Sequence, residues 1–130
     1  MAGMSTPQIA AVVACIILAG LAILQSALML GAPAGHLAWG GQHRVLPRRL
    51  RIGSAVSIAL YALFGSILLD RAGLLDLPDG ALSHIAAWVL FAYFLVGILM
   101  NAVSRSRSER YTMTPVAAVL AVCALLVAIG

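Results

Sequence analysis

Every strongly basic side chain in this sequence is an arginine, eight in all, and seven of the eight crowd into two short stretches. Arg44, Arg48, Arg49 and Arg51 lie in one, and Arg105, Arg107 and Arg110 in the other. A guanidinium presents a planar fork of donors that matches carboxylate or phosphate, so this pattern points first to the recognition of anions. Pro47 opens a helix with Arg48, Arg49 and Arg51 in or near its first turn, where the helix dipole favours negative charge. These cations therefore need an anionic counterpart. Three can supply it: anionic lipid headgroups, Glu109 as the one acid near them, or a small bound anion that also uses the backbone donors of the helix N-terminus. His36 and His43 stand seven residues apart in the same stretch. With no cysteine or spare carboxylate beside them they make no metal site, and pH-sensitive loop contacts suit them better.

The elements that carry these residues follow from composition. The chain has 130 residues, of which 63% are hydrophobic and 9% charged, too few charges to cover a water-soluble domain. Four apolar stretches contain no charge, at residues 9–30, 52–69, 81–103 and 115–130. The first, at 1.5 Å per residue, reaches about 33 Å, enough to cross a hydrocarbon core of ~30 Å. Asp79 is placed to cap the third helix, and Thr114 with Pro115 to open the fourth. That fourth stretch is short for a span, which calls for local thinning of the bilayer or an inner end reaching back through Thr112 and Met113. A cleaved signal peptide ending at Ala32-Pro33-Ala34 fits poorly, because its n-region lacks a basic side chain and its apolar core is too long. The expected fold is all-α: an integral membrane bundle of four transmembrane helices in one domain, residues 1–130.

Counting arginines by loop sets the orientation. Loops 31–51 and 104–114 share one side and hold seven arginines, whereas the opposite loop has Arg71 against Asp70, Asp76 and Asp79. The positive-inside rule makes the arginine side cytoplasmic and leaves both termini outside. Gln25, Ser26, Ser54, Ser57 and Asn101 then fall at one depth near the cytoplasmic ends of their helices. Polar side chains in lipid turn inward, so Gln25, Ser57 and Asn101 are candidates to line a vestibule beneath the arginines, or simply to bond between helices. Gly31, Gly35, Gly40 and Gly41 allow tight turns or close backbone approach in the first loop, and Trp39 suits a membrane interface. Small residues offer helix contacts: Ala10, Ala14, Ala22 and Ser26 on the first helix, and Gly53, Ala55, Ser57, Ala59, Ala62 and Ser66 on the second. The third helix, with Trp88, Phe91, Tyr93 and Phe94, has a wider face for lipid or a neighbouring copy.

Absences narrow the function. No charged or imidazole side chain lies near the middle of a span, which disfavours proton- or cation-coupled carriers. Small multidrug-type antiporters have this length and helix number but use a membrane-embedded glutamate, and fluoride channels match in size without matching in motifs. A P-loop, a Gly-x-Ser-x-Gly turn, paired acids and a nucleophile beside a base are all missing, so no cofactor is expected. Basic loops between apolar runs are explained by topology and not by nucleic acid.

The segments GAPAGHLAWGGQHRVLPRRLRIGSAVS and MNAVSRSRSERYTMTPVAAVLAV resemble a group of small bacterial four-helix membrane proteins with no assigned activity. The resemblance covers both arginine loops and their flanking helices and implies no ligand or catalytic residue. The expectation is a protein, homo-oligomeric or bound to a larger membrane partner, that binds or conducts a small anion at an arginine-rich cytoplasmic mouth. In that reading Arg48, Arg49, Arg51, Arg105 and Arg110 supply charge, and Gln25, Ser57, Asn101, His36 and His43 complete the site. Its alternatives are a scaffold whose basic loops grip anionic lipid or a partner, and a membrane enzyme acting on a lipid or quinone through His36 and His43.

Overall fold

The computed structural model describes residues 3–78 and 80–130, and these form four long helices joined at alternate ends. They are α1 (Thr6–Met29), α2 (Arg48–Arg71), α3 (Gly80–Ala102) and α4 (Arg107–Ile129), each long and apolar enough to cross a membrane. Their ends carry recognisable stops. At the start of α1 the Ser5 hydroxyl accepts from the Gln8 amide while the Gln8 side chain accepts from the Ser5 amide, a reciprocal capping box. Gly31, at φ 96°, closes α1, with its own N–H on the Leu28 carbonyl and that of Ala32 on Ala27. Gly73 closes α2 through the same pattern of bonds to Asp70 and Leu69.

Two helices start ahead of their apolar stretches. Helix α2 begins at Arg48, with Pro47 in extended conformation as its N-cap, so Arg48, Arg49 and Arg51 lie at its start as the Pro47 signal predicted, before the apolar stretch from residue 52. Helix α4 begins at Arg107 and not at residue 115. Ser106, not Thr114, is its N-cap, and Glu109 occupies its first turn, where an acid complements the dipole. Pro115 therefore sits inside the helix. The amide it lacks frees only the Tyr111 carbonyl, on an exposed residue at the polar end of α4. The longer helix removes the shortfall in span and reduces the second arginine loop to a tight connection. The capping role assigned to Asp79 lies outside the described residues.

The helices pack as a ring in which α1 contacts α2 and α4, α3 contacts α4, and α2 and α3 meet more sparingly. Without a hydrophobic effect between helices in lipid, packing depends on how closely backbones approach. Helix α4 supplies the surface for this: Ala117, Ala121, Ala124 and Ala128 are buried along one stripe, and Cys123 and Val127 beside them. Ala10, Ala11 and Ala14 of α1 answer it, as the small residues of α1 predicted. The small residues of α2 do not follow suit, since Ala55, Ala59 and Ala62 are exposed. Gly65 instead receives the Cys15 side chain, its absent Cβ leaving a gap of 3.3 Å to the sulfur. On α3, Trp88 and Tyr93 face outward, whereas Phe94 is core. Phe64 of α2 packs on Tyr93 and Phe94 at 5.3 and 6.1 Å between ring centroids and bridges the looser α2–α3 seam. At the far end Arg71 donates to the Ala128 and Gly130 carbonyls, capping α4 with a cation. Because Ala124 is fully buried, Ala124→Leu should overpack this stripe and cost about 1–3 kcal/mol, read as a lower thermal midpoint in detergent micelles, while Ala59→Leu should leave the midpoint unchanged.

Candidate functional site

The first loop, residues 30–47, folds back onto the arginine-rich end of the bundle as a lid. Two turns of 3-10 helix, Gly35–Leu37 and Trp39–Gly41, form its body. The Gly35 amide donates to the Arg44 carbonyl at 2.9 Å, and the His43 carbonyl occupies the place a Cβ on Gly35 would take. Gly41, at φ 70°, lies so close to the Ser106 side chain that a Cβ would collide with it. The glycines thus serve the close approach their spacing predicted.

Three contacts fasten the lid. The Gly40 amide donates to Glu109 Oε2 at 2.9 Å. The Ser106 hydroxyl donates to the His36 carbonyl. The Trp39 indole N–H donates to Ser54 Oγ at 3.4 Å, and its ring lies against Gly53, where a Cβ would come within 2.8 Å of it. Trp39 itself adopts φ 54°, a left-handed conformation that costs a bulky residue on the order of 1–3 kcal/mol and persists because these contacts hold it.

Beneath the lid is a cavity of about 330 Å³ that all four helices line. Its walls are mostly apolar, with Leu18 and Leu21 from α1 and Val116 and Leu120 from α4. Its polar groups are few and come from separate elements: Gln25, Ser57, Tyr61, Asn101 and Glu109. Trp39, Tyr61, Tyr93 and Phe94 contribute aromatic faces. Tyr93, Val96 and Met100 on its rim are exposed along one side of α3, so the cavity opens laterally beside that helix.

The hydrogen bonds inside it are unevenly spent. Ser57 donates to the Gly53 carbonyl at 3.0 Å and Asn101 to the Gly97 carbonyl at 2.9 Å, each within its own helix. Gln25 Nε2 donates across to the Tyr61 hydroxyl at 3.4 Å, joining α1 to α2. The other Gln25 atom, Oε1, is buried without a partner. Glu109 is 8% exposed, and among the described residues its carboxylate accepts from the Gly40 amide and from no arginine.

The expected site residues therefore divide. Gln25, Ser57 and Asn101 meet in one cavity, as their common depth predicted. The arginines are not among the residues that line it. Arg51 donates to the Leu46 carbonyl and lays its guanidinium against Gly31, and Arg110 donates to the Ser104 carbonyl while resting over the Tyr111 ring at 5.1 Å. Arg48, Arg49 and Arg105 are exposed. His36 is exposed on the lid and His43 half-buried, and neither lines the cavity. Ser26 donates to the Ala22 carbonyl, and Ser54 is taken by Trp39. His84 lies at the opposite end, beside an open groove with Asp70, Arg71 and Asp76. No group of three His, Cys, Asp or Glu side chains among the described residues could hold a metal ion.

Reasoning from sequence did not place Trp39, Tyr61, Tyr93 or Glu109 in a site. Glu109 had a readable signal, a serine N-cap three residues before an acid, but its arginine neighbours made it a counter-anion for them, whereas its carboxylate accepts from the Gly40 amide. No protein-family model, curated protein or solved structure matches the chain, so the site rests on its own geometry. Glu109→Ala should leave the Gly40 amide without an acceptor, weaken lid docking by about 1–3 kcal/mol and shift Trp39 emission to longer wavelength in a Trp88→Phe background. Glu109→Gln, which keeps an acceptor without the charge, should shift the emission less than Glu109→Ala.

Proposed function

We propose that this chain is a multi-pass protein of a bacterial cytoplasmic membrane that binds a small amphipathic ligand in the cavity under its first loop. Four apolar helices support the membrane assignment. The arginine count supports a cytoplasmic position for the lid and an outer position for both termini. The bacterial placement rests on the resemblance carried by the two arginine-rich segments.

The observation that carries ligand binding is the unpaired Gln25 oxygen. A buried polar atom without a partner costs roughly 1–3 kcal/mol, and this one belongs to a residue that lines the cavity. The cavity is at the small end of the usual range for small-molecule sites, roughly 300–1,000 Å³, and has their character: apolar walls with a few converging polar groups. The lateral opening beside α3 suits a ligand that arrives from the bilayer.

The arginines take a separate role in this reading. Pointing outward at one end of the bundle, Arg48, Arg49 and Arg105 grip anionic headgroups, each worth about 1 kcal/mol near a charged leaflet. An anion is thereby accommodated on the outside of the mouth. Within the cavity it would meet the Glu109 carboxylate and no guanidinium.

Two measurements test the proposal. In a Cys15→Ala/Cys123→Ala background, a cysteine at Gln42 should be labelled by an impermeant maleimide only from the cytoplasmic side and one at Leu75 only from the outer side. Labelling of both from one side would end the topology. In liposomes, para-nitrobenzyl alcohol should quench Trp39 in the Trp88→Phe protein saturably. Ser57→Leu, which fills the cavity, should weaken that binding by about tenfold or more. Quenching that is linear, or indifferent to Ser57→Leu, would show partition into lipid and not a site.

A further inference from the structure

Resting on the ligand-binding reading, we infer that the natural ligand is an organic ammonium: a protonated amine on an apolar body, with Glu109 as its counter-charge. Three features of the cavity converge on that chemistry. The first is charge. Glu109 is the one ionisable acid that lines the cavity, it is nine-tenths buried, and its described partner is the uncharged Gly40 amide. Burial makes an unpaired carboxylate costly, and an ammonium ion would supply the charge that keeps it ionised.

The second feature is aromatic. Of the chain's eight aromatic side chains, four line this one cavity. Trp39, Tyr61, Tyr93 and Phe94 come from the lid, α2 and α3 and share the lining of a volume of about 330 Å³, with Tyr93 at its exposed rim. Ring faces carry negative potential, so a cation that seats over one of them is attracted. The same rings repel an anion placed over their faces.

The third is Gln25. Its buried amide has one hydrogen bond, to Tyr61, and one polar atom left over. An amide can turn over, so Gln25 demands a polar partner without fixing its sign. Glu109 fixes it. With a carbonyl oxygen turned to the cavity, Gln25 would accept one ammonium N–H while the carboxylate balances the charge.

The lid contact makes binding and closure one event. Glu109 holds Gly40 with one oxygen, and Gly40 adjoins Trp39, whose ring faces the same cavity. A cation seated on the carboxylate therefore meets the indole on the segment that the carboxylate anchors.

The test compares three probes of one shape on the Trp88→Phe protein in liposomes, by Trp39 quenching corrected against protein-free vesicles. They are para-nitrobenzylammonium, para-nitrobenzyl alcohol and para-nitrobenzylsulfonate. The expected order is ammonium first, alcohol about tenfold weaker and sulfonate weaker still. Glu109→Gln should bring the ratio of ammonium to alcohol affinity from about ten to about one, whatever the alcohol's own affinity becomes, with saturable alcohol binding showing that the cavity persists. A Tyr93→Leu variant, which keeps the carboxylate, should weaken the ammonium more than the alcohol. Equal binding of ammonium and alcohol, or preference for the sulfonate, would overturn the assignment of charge while leaving a binding cavity. Saturable binding of none of the three would overturn the cavity reading itself, and the charge assignment with it.

Discussion

The contact on which the arginine-rich end depends is the bond from the Gly40 amide to the Glu109 carboxylate. Residues 30–47 contain no long helix, and beyond Leu46 and the Trp39 ring they are held over the bundle by polar contacts. A charge-assisted hydrogen bond can hold them, because the carboxylate is shielded from competing water and its bonds are stronger for that. The bond also fixes Trp39, the next residue, in a backbone conformation that its side chain would not choose. From this one constraint follow the position of the lid, the roof of the cavity and the presence of negative charge inside it.

The bundle was legible because lipid permits few alternatives. Once a segment is too apolar for water and long enough to cross, its backbone amides and carbonyls must bond within the segment, and a helix is the local solution. Residues 9–30 and 81–103 accordingly match α1 and α3 closely. The start of α4 was misplaced, and the apolar stretch of α2 fell short of the start that Pro47 marks, for one reason: apolarity marks where a helix becomes charged, not where it ends. Arg48 and Arg107 are helical yet charged, and Ser106 caps α4 well outside its apolar stretch. Pro115 then misled, since proline is commonest at a first turn but tolerable further in when the carbonyl it frees lies near water.

The site was legible in part. Depth along a helix can be counted from sequence, and it brought Gln25, Ser57 and Asn101 together. Direction around the helix is harder in a chain that is apolar on every side. There is no polar face to mark the outside, so Ala55, Ala59 and Ala62 passed for an interface that α4 in fact provides. Tyr61 and Tyr93 were hidden in the same way. Trp39 was noticed but assigned to the membrane interface, because nothing in its neighbourhood announces that Gly53 leaves a slot for its ring.

The distribution of charge then has a consistent physical logic. Seven arginines beside one glutamate would pair that glutamate at once if all shared a surface, and its charge would be spent. The fold prevents this by placing them on different sides of a wall. Arg51 and Arg110 are turned to the Leu46 and Ser104 carbonyls, Arg48, Arg49 and Arg105 to the exterior, and Glu109 to the cavity under the lid. Guanidinium groups tolerate this exposure because they remain well solvated or meet headgroup phosphates, whereas a carboxylate in an apolar cavity gains only from a partner that enters it. The cluster that looks from the sequence like an anion site thus has, in three dimensions, its arginines away from the cavity and one glutamate on the cavity wall.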